Sequence, residues 1–173
     1  IKLPMIVQAT VDVFSKMQIF NTDIHAAYTA VSKMGIDVFG INCNVGTEEM
    51  LATVEKLSRF CKHPISVVPN AGQPISEDGQ TCYKLSPEDM ANTMEPFVRE
   101  YGVSIVGGCC GTTPAHIKAL REKLNGVVPA PRQPDKKVYV SGPQEAVPID
   151  TSKGLLRIGE RLNVRGSKLV RDA

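Results

Sequence analysis

The chain has 173 residues, 42% of them hydrophobic, which is enough for a sizeable core and excludes a disordered tail. Its 20 Lys and Arg against 18 Asp and Glu leave a net charge of +2, too balanced for a chain that works mainly on phosphates or an anionic membrane. No apolar run approaches the roughly 18 residues of a bilayer span, no secretory signal opens the chain, and five cysteines do not make a disulfide framework, so a cytoplasmic protein is expected.

Through residue 126, short β-branched apolar runs alternate with segments of helical period. The first run, 5–10, reads as a strand. The helix after it carries Ile24, Ala27, Tyr28, Val31 and Met34 on one stripe, with Thr22 placed as its cap. A second strand is expected over 36–41, then a helix behind Thr47 that buries Met50, Leu51, Val54 and Leu57. A third strand covers 65–69. The helix that follows opens with Ser86 and Pro87, buries Met90, Met94, Phe97 and Tyr101, and is expected to kink at Pro96. A fourth strand covers 103–107. Its helix repeats the opening with Thr113 and Pro114, carries Ile117, Leu120 and Leu124, and stops at Gly126.

After Gly126 the texture changes. Pro129, Pro131, Pro134, Pro143 and Pro148 mark residues 127–153 as an interdomain linker with a short strand at 138–140. Residues 155–159 resume a strand-like run, and a polar loop over 160–167 follows, so 154–173 reads as the start of a second domain. Four βα units with strand starts about 30 to 40 residues apart make a parallel sheet. Two architectures accommodate it: half of a (β/α)8 TIM barrel, whose full form needs about 250 residues, or a small open doubly wound sheet. The dinucleotide fingerprint Gly-x-Gly-x-x-Gly of the second is absent.

The chemistry-bearing residues sit where strands end. Cys43 follows Gly40-Ile41-Asn42, Cys109 and Cys110 follow Val106-Gly107-Gly108, and Asn70 follows the strand between them. In a parallel barrel those carboxyl ends share the face on which active sites are built. The two cysteine-bearing strands lie about 10 Å apart, two strand spacings, so inward-leaning side chains can bring three sulfurs to the roughly 3.7 Å separation that a tetrahedral Zn2+ asks for. Three protein sulfurs leave a fourth position open, the mark of a catalytic zinc. Gly107, Gly108 and Gly111 free the backbone where two adjacent cysteines turn to one metal, and the helix that begins after Thr113 points its positive end toward them. The competing readings are plain burial, a strained Cys109–Cys110 disulfide, and a non-catalytic zinc or redox module. Cys61 and Cys82 read as core, as do Met90 and Met94, while His25, His63 and His116 read as exposed or helix-end residues. Arg121, Glu122 and Lys123 form a solvated helix face.

The stretch Gly107-Gly108-Cys109-Cys110-Gly111-Thr112-Thr113-Pro114 resembles the zinc motif of homocysteine S-methyltransferase domains. Gly40-Ile41-Asn42-Cys43 resembles that family's upstream cysteine motif, and Pro69-Asn70-Ala71-Gly72 the segment between them. The tail Gly159-Glu160-Arg161-Leu162-Asn163 with Gly166-Ser167 resembles the opening of the pterin-binding barrel in the family's cobalamin-dependent, methionine-forming branch; relatives that use betaine or S-methylmethionine do not continue into such a barrel. The resemblance implies that Cys43, Cys109 and Cys110 bind Zn2+ and are the catalytic set, that homocysteine sulfur takes the open position, and that Asn70 binds substrate or rests as the fourth ligand. It implies Asn163 in pterin binding, and a methyl group carried by cobalamin and replenished from methyltetrahydrofolate on other modules of the parent chain. It further implies an internal piece: about strands 5–8 of the homocysteine barrel over residues 1–126, then the linker, then the first strand of the pterin barrel. Such a piece is expected to expose an apolar edge, to lack the residues that hold the substrate's amino and carboxylate groups, and to be inactive alone.

Overall fold

Alternation along the strands fixes two different sheet faces. In the computed structural model, which describes residues 3–152, 154, 155 and 172, strands β1 (Ile6–Ala9), β4 (Val38–Asn42), β5 (Ile65–Val68) and β8 (Ile105–Val106) form one parallel sheet in the order β1-β4-β5-β8. Two-stranded antiparallel hairpins β2 (Lys16–Met17) with β3 (Thr22–Asp23), β6 (Ile75–Glu77) with β7 (Gln80–Cys82), and β9 (Tyr139–Ser141) with β10 (Ala146–Pro148) decorate it. Helices α1 (Ile24–Val31), α2 (Thr47–Phe60) and α3 (Pro87–Arg99) are the three crossovers, and α4 (Pro114–Lys123) follows the last strand.

Each parallel strand lies beside its predecessor in sequence. A doubly wound sheet reverses its order at a switch point, whereas consecutive strands of a (β/α)8 wall do not, so the observed order is consistent with part of a TIM-barrel-like wall. Ala9, Phe39, Ile41, Ile65 and Val67 pack with Ile24, Met50, Val54, Leu57, Met90, Met94, Phe97 and Leu120 in one continuous core. The other face is partly polar: Gln8, Gly40 and Ser66 are in register on three neighbouring strands, and the Gln8 amide reaches past Gly40 to donate to Ser66 Oγ at 2.9 Å. A side chain at Gly40 would place Cβ 2.2 Å from the Ser66 carbonyl oxygen. The outer strands leave Ile6 and Ile105 exposed, together with Leu3 and Met5, which is the expected apolar edge.

The helices depart from the sequence reading in detail. Asp23, not Thr22, caps α1, its carboxylate accepting the His25 amide at 2.8 Å, while Thr22 donates to Pro143 C=O at 2.7 Å. The helix stops at Val31, so Met34 falls outside the stripe and is exposed. Ala26 rather than Ala27 is buried, because the β9–β10 hairpin covers that flank and Ser141 Oγ donates to the Ala26 carbonyl. Leu51 and Ile117 lie at the rims of their stripes and are exposed. The third helix runs on through Pro96 to Arg99. Cys82, expected in a loop, ends strand β7.

The segment expected as a linker is docked along the helix ends. Ala130 N–H donates to Val98 C=O and Asp135 N–H to Arg59 C=O, each at 2.9 Å. The Arg132 guanidinium donates to the Cys61 and His63 carbonyls, both at 2.6 Å. Val98, Arg59 and Cys61 offer carbonyls that the carboxyl ends of α2 and α3 leave without helical partners, and His63 lies in the turn just after α2. The expected strand at 138–140 is present one residue later, as β9. The strand-like run at 155–159 and Asn163 lie, apart from Leu155, outside the described residues.

Candidate metal centre

The β4 ladder continues one step past the strand: Cys43 N–H donates to Val68 C=O at 2.9 Å. The chain then turns sharply, with Cys43 at φ 58° and Asn44 at φ 65°, both left-handed, and Val45 N–H donates back to Cys43 C=O at 2.8 Å. A three-residue turn about a non-glycine residue at positive φ is strained, on the order of 1–3 kcal/mol. Asn44 is held there by its side chain, which donates to Val11 C=O and accepts from the Gln18 amide. The turn lifts the Cys43 sulfur off the strand axis and toward β8.

From the other side, Cys109 N–H donates to Pro69 C=O at 2.7 Å and Cys110 N–H to Asn70 Oδ1 at 3.2 Å. The Cys110 carbonyl accepts from Ala71 N–H at 2.9 Å, so the double cysteine is stitched to the end of β5. The sulfurs of Cys43 and Cys110 are 3.5 Å apart, those of Cys109 and Cys110 are 3.9 Å apart, and all three lie within 4.8 Å of one another. Sulfurs about 2.3 Å from one tetrahedral ion would be about 3.7 Å apart, so the trio has the donor chemistry and spacing of a zinc site. Among the described residues no other His, Cys, Asp or Glu completes the group. All five cysteines are free thiols, so the vicinal disulfide is not formed.

The glycines do different work from that expected. Only Gly111 of the three is left-handed, at φ 77°; a Cβ there would sit 2.4 Å from the Tyr83 Cβ and Cγ. Gly108 serves close packing instead, since the Thr112 side chain fills the space its Cβ would take, with Oγ1 at 2.2 Å. That Thr112 hydroxyl is buried without a partner. Gly107 makes ordinary contact only, with Val68. The strain of the site lies at Cys43 and Asn44, which the sequence did not mark.

Burial works against ionising Cys43, but the Asn44 N–H and the Cys109 and Cys110 thiols oriented toward its sulfur outweigh it and hold the group below its ordinary 9.0. Burial first, and then the facing Cys43 and Cys110 sulfurs, push Cys109 up to about 11. The surroundings thus favour the thiolate at Cys43 and the thiol at Cys109.

Residues 1–124 match the family described as Homocysteine S-methyltransferase. The chain belongs to that family. It is 39% identical over 171 residues to the methionine synthase of Mycobacterium tuberculosis and 38% identical over 176 residues to that of Mycobacterium leprae. Each match covers 99% of this chain and 14% of the relative, so the chain spans about one seventh of their length. The family is one of methyl-transferring enzymes.

Asn70, expected at the strand mouth, is there and 3% exposed, bracing Cys110 through its side chain. Cys61 is buried at the end of α2, where burial pushes it up to about 11, and Cys82 is half-buried on its hairpin. His25 stacks on Phe60 with ring centroids 3.9 Å apart, and His63 receives the Tyr28 hydroxyl at 3.0 Å. These two line a half-open cavity of about 280 Å³ between α1, the end of α2 and the docked segment 130–148, here called the strap, together with Lys33, Lys62 and Tyr139. His116, expected to be exposed or at a helix end, is at the helix end and buried. Its Nδ1 accepts from Thr113 N–H at 3.1 Å, so Nε2–H donates to Leu85 C=O at 2.9 Å. Tyr83 is the neighbour that the sequence concealed: its ring lies against Gly111, the residue after Cys110, and its phenol is held above its ordinary 10.0 by lost hydration and then by Cys110. Nothing in Thr81-Cys82-Tyr83 signals that role, because the hairpin that delivers it is a tertiary feature. Among the described residues no helix is long and apolar enough to cross a membrane.

Proposed function

We propose that this chain is the zinc-binding portion of a methionine synthase, in which Cys43, Cys109 and Cys110 hold Zn2+ and homocysteine is the methyl acceptor. The observation that carries the reading is the convergence of three sulfurs from two strand ends to within 4.8 Å, with no fourth protein sulfur, imidazole or carboxylate in the group among the described residues. Bound there, zinc supplies Lewis acidity that keeps a thiol of free pKa near 8.5 as its nucleophilic thiolate at neutral pH.

The chain's own residues supply the rest. Asn44 and the β4 ladder aim Cys43, and Asn70 and Pro69 fix the backbone of Cys109 and Cys110, so the sulfurs are preorganised before the metal arrives. Asn70 Oδ1 keeps a lone pair beyond the one given to Cys110 N–H, and would be the protein group able to hold the fourth position when substrate is absent. By this reading residues 1–126 are the second half of a homocysteine barrel, 127–153 the interdomain connection, and 154–173 the opening of a pterin barrel that includes Asn163. The methyl group comes from methylcobalamin, replenished by methyltetrahydrofolate, both on other modules of the same parent. Similarity to relatives named methionine synthase runs over 171 residues, past residue 124 where the family match ends, and this supports the folate-using branch over betaine or S-methylmethionine donors.

The test is zinc content. About one equivalent per chain in the wild type, lost in Cys109→Ala and accessible to added homocysteine by a change in the sulfur absorption edge, is the expected result. A well-folded wild-type protein that takes up no zinc would overturn the reading, and a site that binds zinc but ignores added thiol would make it a structural centre.

A further inference from the structure

We infer that Gln18 is a further positioning residue of the metal centre: with Asn44 it closes a two-amide latch through which the segment between β1 and α1 sets the direction of the Cys43 sulfur. The inference rests on the zinc reading of the trio. Cys43 is the ligand contributed by β4, and the residues on either side of it in the chain are both gripped by that segment. Before it, Asn42 Oδ1 accepts from Thr10 Oγ1 at 3.3 Å. After it, Asn44 Nδ2 donates to Val11 C=O at 2.9 Å and Asn44 Oδ1 accepts from Gln18 Nε2 at 3.2 Å, so both ends of one side-chain amide are held.

The gripping segment is itself anchored. Val11 is buried, and Asp12 Oδ1 accepts the Phe14 and Lys16 amides at 2.9 and 3.0 Å. Ser15 Oγ bonds the Thr53 hydroxyl of α2 at 2.7 Å, and Ser15 C=O accepts Ile24 N–H, at the head of α1, at 3.0 Å. The latch has a strained turn to hold: Cys43 and Asn44 are left-handed, a conformation that persists in non-glycine residues only where the surroundings over-determine it. On the far side the turn is held through Val45 C=O, which accepts Asn70 N–H at 3.1 Å. Relaxing Cys43 and Asn44 toward ordinary backbone angles would redirect the Cys43 side chain and its sulfur, which lies 3.5 Å from that of Cys110.

Glycine adopts positive φ freely, so Asn44→Gly removes the latch without adding strain, and Gln18→Ala, at an exposed position, removes one of its bonds without touching the core. In the intact protein, zinc affinity measured by chelator competition is expected to fall about 10-fold in Asn44→Gly and about 3-fold in Gln18→Ala. Gln18→Ala is expected to have no further effect in the Asn44→Gly background, because Gln18 acts through Asn44. The visible absorption of the cobalt-substituted protein, which reports the geometry around the ion, is expected to change in both single variants while far-ultraviolet circular dichroism does not. Wild-type affinity and an unchanged cobalt spectrum in both variants would overturn the inference and leave the zinc site standing. Losses that add in the double variant, or a loss confined to Asn44→Gly, would show that Gln18 does not act through Asn44, which also overturns it. If Asn44→Gly fails to fold, Gln18→Ala decides by the same affinity and spectrum. A wild type that binds neither metal would remove both this inference and the reading beneath it.

Discussion

Cys61 shows how burial alone can decide a thiol's chemistry. It lies in the core at the carboxyl end of α2, its S–H directed at the His63 carbonyl 3.4 Å away, and burial pushes it up to about 11 from an ordinary 9.0. The folded state keeps this proton after the unfolded chain has released it, so the associated stability is complete below about pH 9 and is lost as pH rises toward 11. Two pKa units amount to about 2–3 kcal/mol. Urea midpoints of metal-free wild type and Cys61→Ala, compared at pH 8 and pH 10.5, are expected to show a steeper alkaline loss in the wild type; parallel losses would refute the assignment. At this scale the sequence was legible where residue type carries the chemistry. Three cysteines and an asparagine at strand ends announce themselves, because only the alternation and the strand boundaries are needed to place them. Tyr83 and the left-handed Asn44 are set by contacts between distant segments, and no local pattern encodes those, whereas the Asp23 cap is local and lies one residue from the expected Thr22.

The parallel strands and their four helices follow from hydrophobic period and caps, and the observed boundaries differ from that reading by only a few residues. The short hairpins were not legible: two- and three-residue strands have too few positions to show alternation. Neither was the path of residues 127–138, whose prolines signal irregular backbone without saying what it touches. That segment acts as a shared cap for the helix ends. Arg132 reaches the Cys61 and His63 carbonyls, and its side-chain stem crosses Gly102, where a Cβ would meet Arg132 Cγ at 2.5 Å. Arg132→Ala removes two charge-assisted bonds, at a cost of about 2–3 kcal/mol in urea unfolding, and Arg132→Lys is expected to recover only part of it because a lysine cannot span both carbonyls as a planar fork. A loss below about 0.5 kcal/mol would show that water replaces the guanidinium there.

At the scale of the molecule, the sheet is open at both sides among the described residues. Ile6 on β1 and Ile105 on β8 are exposed, beside unpaired outer strands. Sedimentation velocity on the isolated chain is expected to show concentration-dependent association that Ile6→Lys reduces, since a charged residue at an edge opposes strand addition; a monomer at all concentrations would mean that the edge is already protected. The strap has a consequence of another kind. Thr22 and Asp23 bond Pro143 and Gln144, and Ser141 bonds Ala26, so the chain is fastened to the start of α1 well after α4 ends. A module attached downstream is therefore anchored at the β9–β10 hairpin rather than at Gly126. Shortening the free length of a connection raises the local concentration of whatever it joins, and these few fastenings do so by pinning residues 141–144 to the start of α1.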